Sequence, residues 1–279
     1  MAIVDDKYII EIERQRAELV GLLQSKGVLI DSDTDLATAI TMVDKIGQND
    51  LLYDFIQGNL TEIALLDENV TTLESDNPFA PIAPTVTKIN MPYIEAIRAF
   101  FYSGATSAFS GAQVQHINIP SLKRTGNRYG LGYMPRLINI VAPDLIVNHS
   151  DDYGLISGDT ALLRFIAPQL ATVTNARIST GLGNLTIIDA TRITTGGSYP
   201  SLKTLILRSK VNISTLTNSS NIPSDTEIYV PQSMIETYQN GTNWSAVERN
   251  YIALEGSKYE PTDWYKTEDW YLEEMAVWQ

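Results

Sequence analysis

The chain has no cysteine and only two histidines. Each shortage excludes something. Without cysteine there are no disulfides, no thiolate metal ligands and no cysteine nucleophile. With His116 and His149 alone, a three-histidine metal site lacks ligands and a histidine-based triad has little to draw on. No apolar run approaches the roughly 18 residues of a membrane-spanning helix. The start, Met1-Ala2-Ile3-Val4-Asp5-Asp6-Lys7, has no basic stretch leading into an apolar one, so no signal peptide is expected. Basic residues are also scarce: 20 Lys+Arg against 33 Asp+Glu give a formal net charge of −13. Such a surface repels phosphate backbones, which argues against a nucleic-acid partner.

What is present separates by pattern. Residues 1–75 read as a helical head for docking or oligomerisation. Ile9, Ile12, Leu19 and Leu23 recur near heptad spacing, with Arg16 where an apolar residue is expected. These four residues are the candidate oligomerisation seam. Gly27 marks a stop. Ser32-Asp33-Thr34-Asp35 resembles a capping box, with Asp in the Glu place, opening a second helix with Leu36, Ile40 and Val43 on one face. The alternative is a hairpin that packs on its own chain. Residues 76–84 hold Pro78, Pro81 and Pro84 and read as an extended connection.

A repeat follows: an apolar residue, two variable ones, an apolar anchor, one variable, one small or apolar, then Pro. Val86-Thr87-Lys88-Ile89-Asn90-Met91-Pro92 shows it, and Pro recurs at 120, 143 and 168 before Thr191 replaces it. The anchors Ile89, Ile117, Ile140, Phe165, Ile188, Leu205 and Ile228 lie 28, 23, 25, 23, 17 and 23 residues apart. Spacings in the twenties belong to leucine-rich arrays. Each copy contributes one strand whose alternate residues point inward, and Pro, lacking an N–H, ends the ladder. The next apolar position (Leu122, Leu145, Leu170, Ile193) turns back under the array. The expectation is a mixed α+β chain: an N-terminal helical segment, then a leucine-rich-repeat-like β solenoid over 85–230. A C-terminal cap over 231–256 follows, with Trp244 as plug. An acidic aromatic tail over 257–279 completes it, with Trp264, Trp270 and Trp278 as contact residues.

The outward strand positions change character. Copies one and two carry Thr87, Lys88, Asn90, Gln115, His116 and Asn118. Copies three to six carry Ile138, Val141, Leu163, Ile166, Ile187 and Ile206. A row of Ile and Val does not belong in water. The favoured reading is a partner interface, with another copy as partner. Cover by the same chain is the alternative, and a one-residue register error flips every face.

Three segments carry a resemblance: Ala142-Pro143-Asp144-Leu145 with Ala167-Pro168-Gln169-Leu170; the closing run Ile228-Tyr229-Val230-Pro231 with Tyr238 and Asn243-Trp244-Ser245; and the lead-in Asn59-Leu60-Thr61-Glu62-Ile63 with Asn69-Val70-Thr71-Thr72-Leu73. Over roughly residues 59 to 254 the chain resembles BspA-like leucine-rich repeat proteins of the kind found in phages and prophages of Gram-positive bacteria. That family's Ala-Phe plus Cys turn survives only as Ala108-Phe109. The resemblance implies a phage virion structural protein (head fibre, tail appendage or baseplate-associated subunit), made in the host cytoplasm and carried in the virion. It implies other virion proteins as partners and a host cell-surface glycan or protein as a further target; the apolar strand face, otherwise exposed, suits a homo-oligomer, with a trimer favoured. The resemblance implies no enzyme, and no catalytic, cofactor or metal residues carry over.

Other features read as bland. His116 is expected on the exposed face, and His149 sits beside Asp151 and Asp152 in a polar loop. Gly130-Leu131-Gly132, Gly181-Leu182-Gly183 and Gly196-Gly197 lack the full phosphate-loop fingerprint and read as turns. The tail's carboxylates show no pair held across a cleft, as glycoside hydrolysis needs. Its aromatic residues suit packing on the chain's own flank, docking on a neighbour, or glycan stacking. A bacterial cell-surface adhesion module and a glycan-acting enzyme are the competing functions.

Overall fold

The computed structural model describes residues 6–25, 31–42, 61–73, 86–97, 113–125, 131–132, 134–148, 155–156, 158–171, 177–178, 182–195, 198–246 and 248–278. The chain divides into two compact units, Met1–Leu60 and Thr61–Gln279.

The first unit contains α1 (Asp6–Ser25) and α2 (Leu36–Met42). The two helices pack together and bury Val20, Leu23 and Ala39. Leu23 of the expected oligomerisation seam is therefore used inside the hairpin, and Leu19 is half-buried. The side chains of Ile9 and Ile12, and all of Val43, lie outside the described residues. Arg16 interrupts the apolar seam because it ties the turn, donating to Ser32 O at 2.8 Å and Thr34 O at 3.1 Å. The cap of α2 is Asp35, not a box opened by Ser32. Its carboxylate accepts from the Thr38 backbone N–H at 2.9 Å and the Thr38 hydroxyl at 2.6 Å. The hydroxyl first, then the backbone N–H, hold this carboxyl below its ordinary range. Ile40, expected on the inner face of the helix, is 56% exposed; Ala39 takes the inner place.

The second unit is built from parallel strands, one or two per rung. β1 (Glu62–Ala64), β3 (Lys88–Asn90) and β5 (His116–Asn118) form a three-stranded sheet. A six-stranded sheet follows in chain order: β7 (Asn139–Val141), β9 (Arg164–Ala171), β11 (Ile187–Arg192), β13 (Thr204–Leu207), β15 (Glu227–Val230) and β16 (Asn250–Ala253). The anchors align across these ladders: Ile89 pairs with Ile117, and Ile140, Phe165, Ile188, Leu205 and Ile228 stand in one row. All seven are buried. No rung can hide its apolar side alone, so its neighbours complete the core.

The expectation of one leucine-rich-repeat-like solenoid is overturned. The strands fall into four separate parallel sheets, and no closed solenoid is present among the described residues. A leucine-rich repeat pairs its strand with a helical or 3₁₀ return. Here the returns are strands too. β2 (Thr72–Leu73), β4 (Ala96–Ile97), β6 (Arg124–Thr125) and β8 (Val147–Asn148) form a four-stranded sheet. β10 (Arg177–Ile178), β12 (Thr194–Thr195) and β14 (Thr215–Leu216) form a further three-stranded one. Pro does not always end a strand either, since β9 runs through Pro168. Residues 61–73, expected in the helical head, hold β1 and β2 and belong to the second unit.

The expected cap is part cap and part rung. Pro231 leads into a 3₁₀ turn, Gln232–Met234, and α3 (Ile235–Gln239), but the segment then returns as β16 on the sheet edge. Trp244 is buried against Tyr238 in an edge-to-face contact with centroids 5.1 Å apart, and its indole N–H donates to Ser214 O at 2.8 Å. A Cβ on Gly241 would meet Ile213 Cδ1 at 2.9 Å, the Thr237 carbonyl oxygen at 3.2 Å and Trp244 Cδ1 at 3.3 Å, so a larger residue there would have to push its neighbours aside. Trp244→Ala is expected to cost about 3–5 kcal/mol through lost burial and a residual cavity. Urea unfolding of the purified protein measures it; a change under about 1 kcal/mol would show that the site collapses or that the ring is not structural.

Candidate functional site: the sheet face under the tail

Alternation along each strand leaves two outward rows on the six-stranded sheet. One begins Asn139, Arg164, Ile187, Thr204; the other runs Val141, Ile166, Asp189, Ile206, Tyr229. The second row is apolar except for one carboxylate in its middle.

The chain's own C-terminal segment covers this face. Past β16, Gly256 adopts φ +78, a left-handed conformation that glycine takes without strain and that turns the chain back. Leu254, Tyr259, Trp264 and Tyr265 then form one buried cluster with Ile166 and Ile206, flanked by Val141, Ile187, Tyr229, Trp270 and Tyr271. Edge-to-face contacts link the rings: Tyr229–Tyr259 at 4.6 Å, Tyr259–Trp264 at 4.8 Å and Tyr265–Tyr271 at 4.9 Å between centroids.

Asp189 lies under this cover with no exposed surface. Arg208, two residues beyond Ile206, grips it bidentately: Nε to Oδ1 at 2.7 Å and Nη2 to Oδ2 at 2.8 Å. The Trp264 indole N–H donates to the same carboxylate at 2.7 Å. Burial pushes the Asp189 carboxyl up, against the pull of Arg208 and Trp264. The guanidinium also donates to the carbonyls of Tyr259 at 2.9 Å, Glu260 at 3.0 Å and Pro261 at 3.3 Å. One ion pair thus fastens sheet and tail together.

Beyond a 3₁₀ turn, Trp264–Thr267, α4 (Asp269–Ala276) crosses the polar rungs. Its buried Glu274 meets His116 Nδ1 at 2.9 Å and accepts from Asn139 Nδ2 at 3.3 Å. The Arg164 guanidinium lies 4.7 Å over the Trp270 ring and donates to Asn139 Oδ1 at 3.0 Å. Trp278 stands edge-on to His116, and Lys88 Nζ donates to Val277 O at 3.5 Å. The indole N–H groups of Trp270 and Trp278 are buried without a partner.

These placements correct the expected partner interface. Ile166 and Ile206 are wholly buried, and Val141 and Ile187 pack against the tail cluster. The cover is the chain itself, not another copy. Ile138 and Leu163 do not share this face: they precede their strands, where their carbonyls accept from the next rung. Ile138 is 39% exposed. His116, expected on the surface, is half-buried beneath the tail, and His149 lies outside the described residues. Of the tail contacts, Trp264 is buried, and Trp270 and Trp278 are partly so, all on the chain's own sheet. The residues that sequence reading missed are Asp189, Arg208 and Glu274. The first two carried a signal: Asp189 is a lone carboxylate in the apolar run 187–190, and Arg208 sits two positions past its ladder partner Ile206.

No protein-family model matches this chain, and no curated protein matches it. Among the described residues no group of His, Asp and Glu is arranged to hold a metal, and no helix is long and apolar enough to cross a membrane.

Asp189→Ala leaves a buried guanidinium unpaired and is expected to cost about 3–5 kcal/mol, while Asp189→Leu with Arg208→Met recovers part of that loss. Chemical denaturation of the three proteins reads the difference; equal stability of Asp189→Ala and the parent would refute the fastening role. The tyrosines give an alkaline prediction. Burial pushes Tyr229 and Tyr251 up to about 12, and raises Tyr265 as well. The folded chain therefore holds protons that the unfolded chain releases above about pH 10. Stability is complete below that pH and falls as pH rises from 10 through 12. Denaturant midpoints at stepped pH, with tyrosinate absorbance, check this, and midpoints that stay level across that window would contradict it.

Proposed function

We propose that this chain is a structural binding protein of a phage particle (a head fibre, tail appendage or baseplate-associated subunit) that acts by protein–protein contact and host-surface attachment, without catalysis. The resemblance over roughly residues 59 to 254 supports the phage assignment. The observation that carries the binding role is the stacking of equivalent turns. Parallel rungs set Tyr93 beside Ser121, one residue after the turn prolines Pro92 and Pro120, and bring Asp144, which follows the turn residue Pro143, to the level of Gln169 within β9. Such a surface offers many similar contacts in a row, which suits a repetitive or extended ligand.

The helical unit is the attachment element in this reading, with other virion proteins as its partners. Leu22 at 41% and Ile40 at 56% exposure offer apolar contact there. The case for a homo-oligomer, with a trimer favoured, now rests on these helices, since the apolar sheet face is already covered. Mass spectrometry and immunogold labelling of purified particles test the assignment. The protein is expected in particles at a fixed copy number. Its presence in the lysate and absence from particles would overturn the reading. In particles, Leu22→Asp with Ile40→Asp is expected to reduce incorporation at least several-fold while the second unit stays folded.

A further inference from the structure

A groove of about 500 Å³ runs between the proline turns and the tail. That size lies in the range of roughly 300–1,000 Å³ usual for small-ligand sites. Pro120, Pro143 and Pro168 line one side, and Tyr265 and Tyr271 the other. We infer that this groove is a binding site for a neutral oligosaccharide. The inference deepens the attachment role proposed above and rests on it.

The argument is one of matched chemistry. A pyranose presents flat C–H patches bordered by hydroxyls that both donate and accept. It therefore needs rigid apolar surface interleaved with donors and acceptors. The half-buried Pro120 and Pro143 supply the first, while Pro168 is buried within its strand. Pro120 and Pro143 sit in equivalent turns, and Pro168 follows at the matching level inside β9, one strand spacing, about 4.8 Å, from Pro143. Their rings are held in place by the ladders on which they sit, and little conformational freedom is lost on binding. Asp144 and Gln169 follow Pro143 and Pro168 and are linked, Gln169 Nε2 donating to Asp144 Oδ1 at 3.4 Å. Together they offer carboxylate acceptors and an amide donor beside the apolar strip.

The tail supplies the opposite wall. Tyr265 lines it with little exposed surface, and burial, with Tyr271, Asp263 and Asp144 nearby, pushes its hydroxyl up. The Tyr271 ring is half-buried. One rung before Ser121, Tyr93 holds the equivalent turn position and is 43% exposed, an aromatic face at the end of the proline row. Charge sets the class of sugar. The groove holds Asp144 and Asp263 against a single ammonium, Lys266, which sits 3.6 Å from Asp263. That excess, on a chain of net charge −13, disfavours sulfated, phosphorylated or sialylated glycans.

Saturation-transfer NMR and calorimetry on the full chain test this. The probes are neutral tetrasaccharides of glucose, mannose, galactose and N-acetylglucosamine, with sialyllactose and a lysine-rich peptide for comparison. At least one neutral probe is expected to bind with Kd of about 1 mM or tighter. Asp144→Ala and Ser121→Tyr, the latter filling the groove from an accessible turn, are each expected to weaken it at least tenfold with an unchanged melting temperature. Failure of every neutral probe, binding that neither variant alters, or tighter groove binding of sialyllactose or the peptide would each overturn the proposal. Particle incorporation is measured separately, so a protein present in particles that ignores these sugars refutes the groove and leaves the virion role standing.

Discussion

A carboxylate with no exposed surface, set between Ile166 and Ile206, is the constraint around which the second unit is arranged. Burying an unpaired charge costs several kcal/mol, so Asp189 requires a cation held in the same dry layer. Arg208 supplies it, but a guanidinium has five N–H donors, and two of them are used on Asp189. The carbonyls of Tyr259, Glu260 and Pro261 take up others, and this fixes where the tail crosses the sheet. The Trp264 indole then completes the hydrogen bonding of the carboxylate from above. Apolar burial, at about 25 cal/mol per Å², provides the gain. The ion pair decides the path.

The remainder of the tail meets a different surface and changes its chemistry to match. Where the rungs turn polar, at His116 and Asn139, α4 presents the buried Glu274 to both. Where Arg164 rises from the sheet, Trp270 lies under its guanidinium. The fit is less complete than at Asp189, since two indole N–H groups are buried without acceptors. Unsatisfied donors of this kind each cost on the order of 1–3 kcal/mol. The tail is thus held hardest in its first half, around residues 259–265, and less firmly along α4.

This arrangement bears on function by deciding which surfaces remain free. The tail covers the apolar face, burying Ile166 and Ile206 and packing against Val141, Ile187 and Tyr229. The turn ladder beside it stays open, and the tail adds a second wall, turning a row of prolines into a groove. The helical unit keeps apolar side chains at its surface. The proposed attachment at one unit and recognition along the other rest on these free surfaces.

The sequence alone determined the rungs. The spacing of Ile89, Ile117, Ile140, Phe165, Ile188, Leu205 and Ile228 placed the anchors that pair and bury, because strand periodicity dictates which side chains point inward. It also placed Val141, Ile166, Ile187 and Ile206 on outward positions, though not Ile138 and Leu163, and marked a tail rich in tryptophan. It did not reveal that the return segments are strands of two residues, too short to leave a period, nor that they split the array into four sheets. Nor did it say what covers the apolar face. Periodicity describes the direction of a side chain and not its partner, and the partner here is distant in the chain: Asp189 meets Trp264 across 75 positions and His116 meets Glu274 across 158. Such pairings have no local pattern; only the folded chain brings them together.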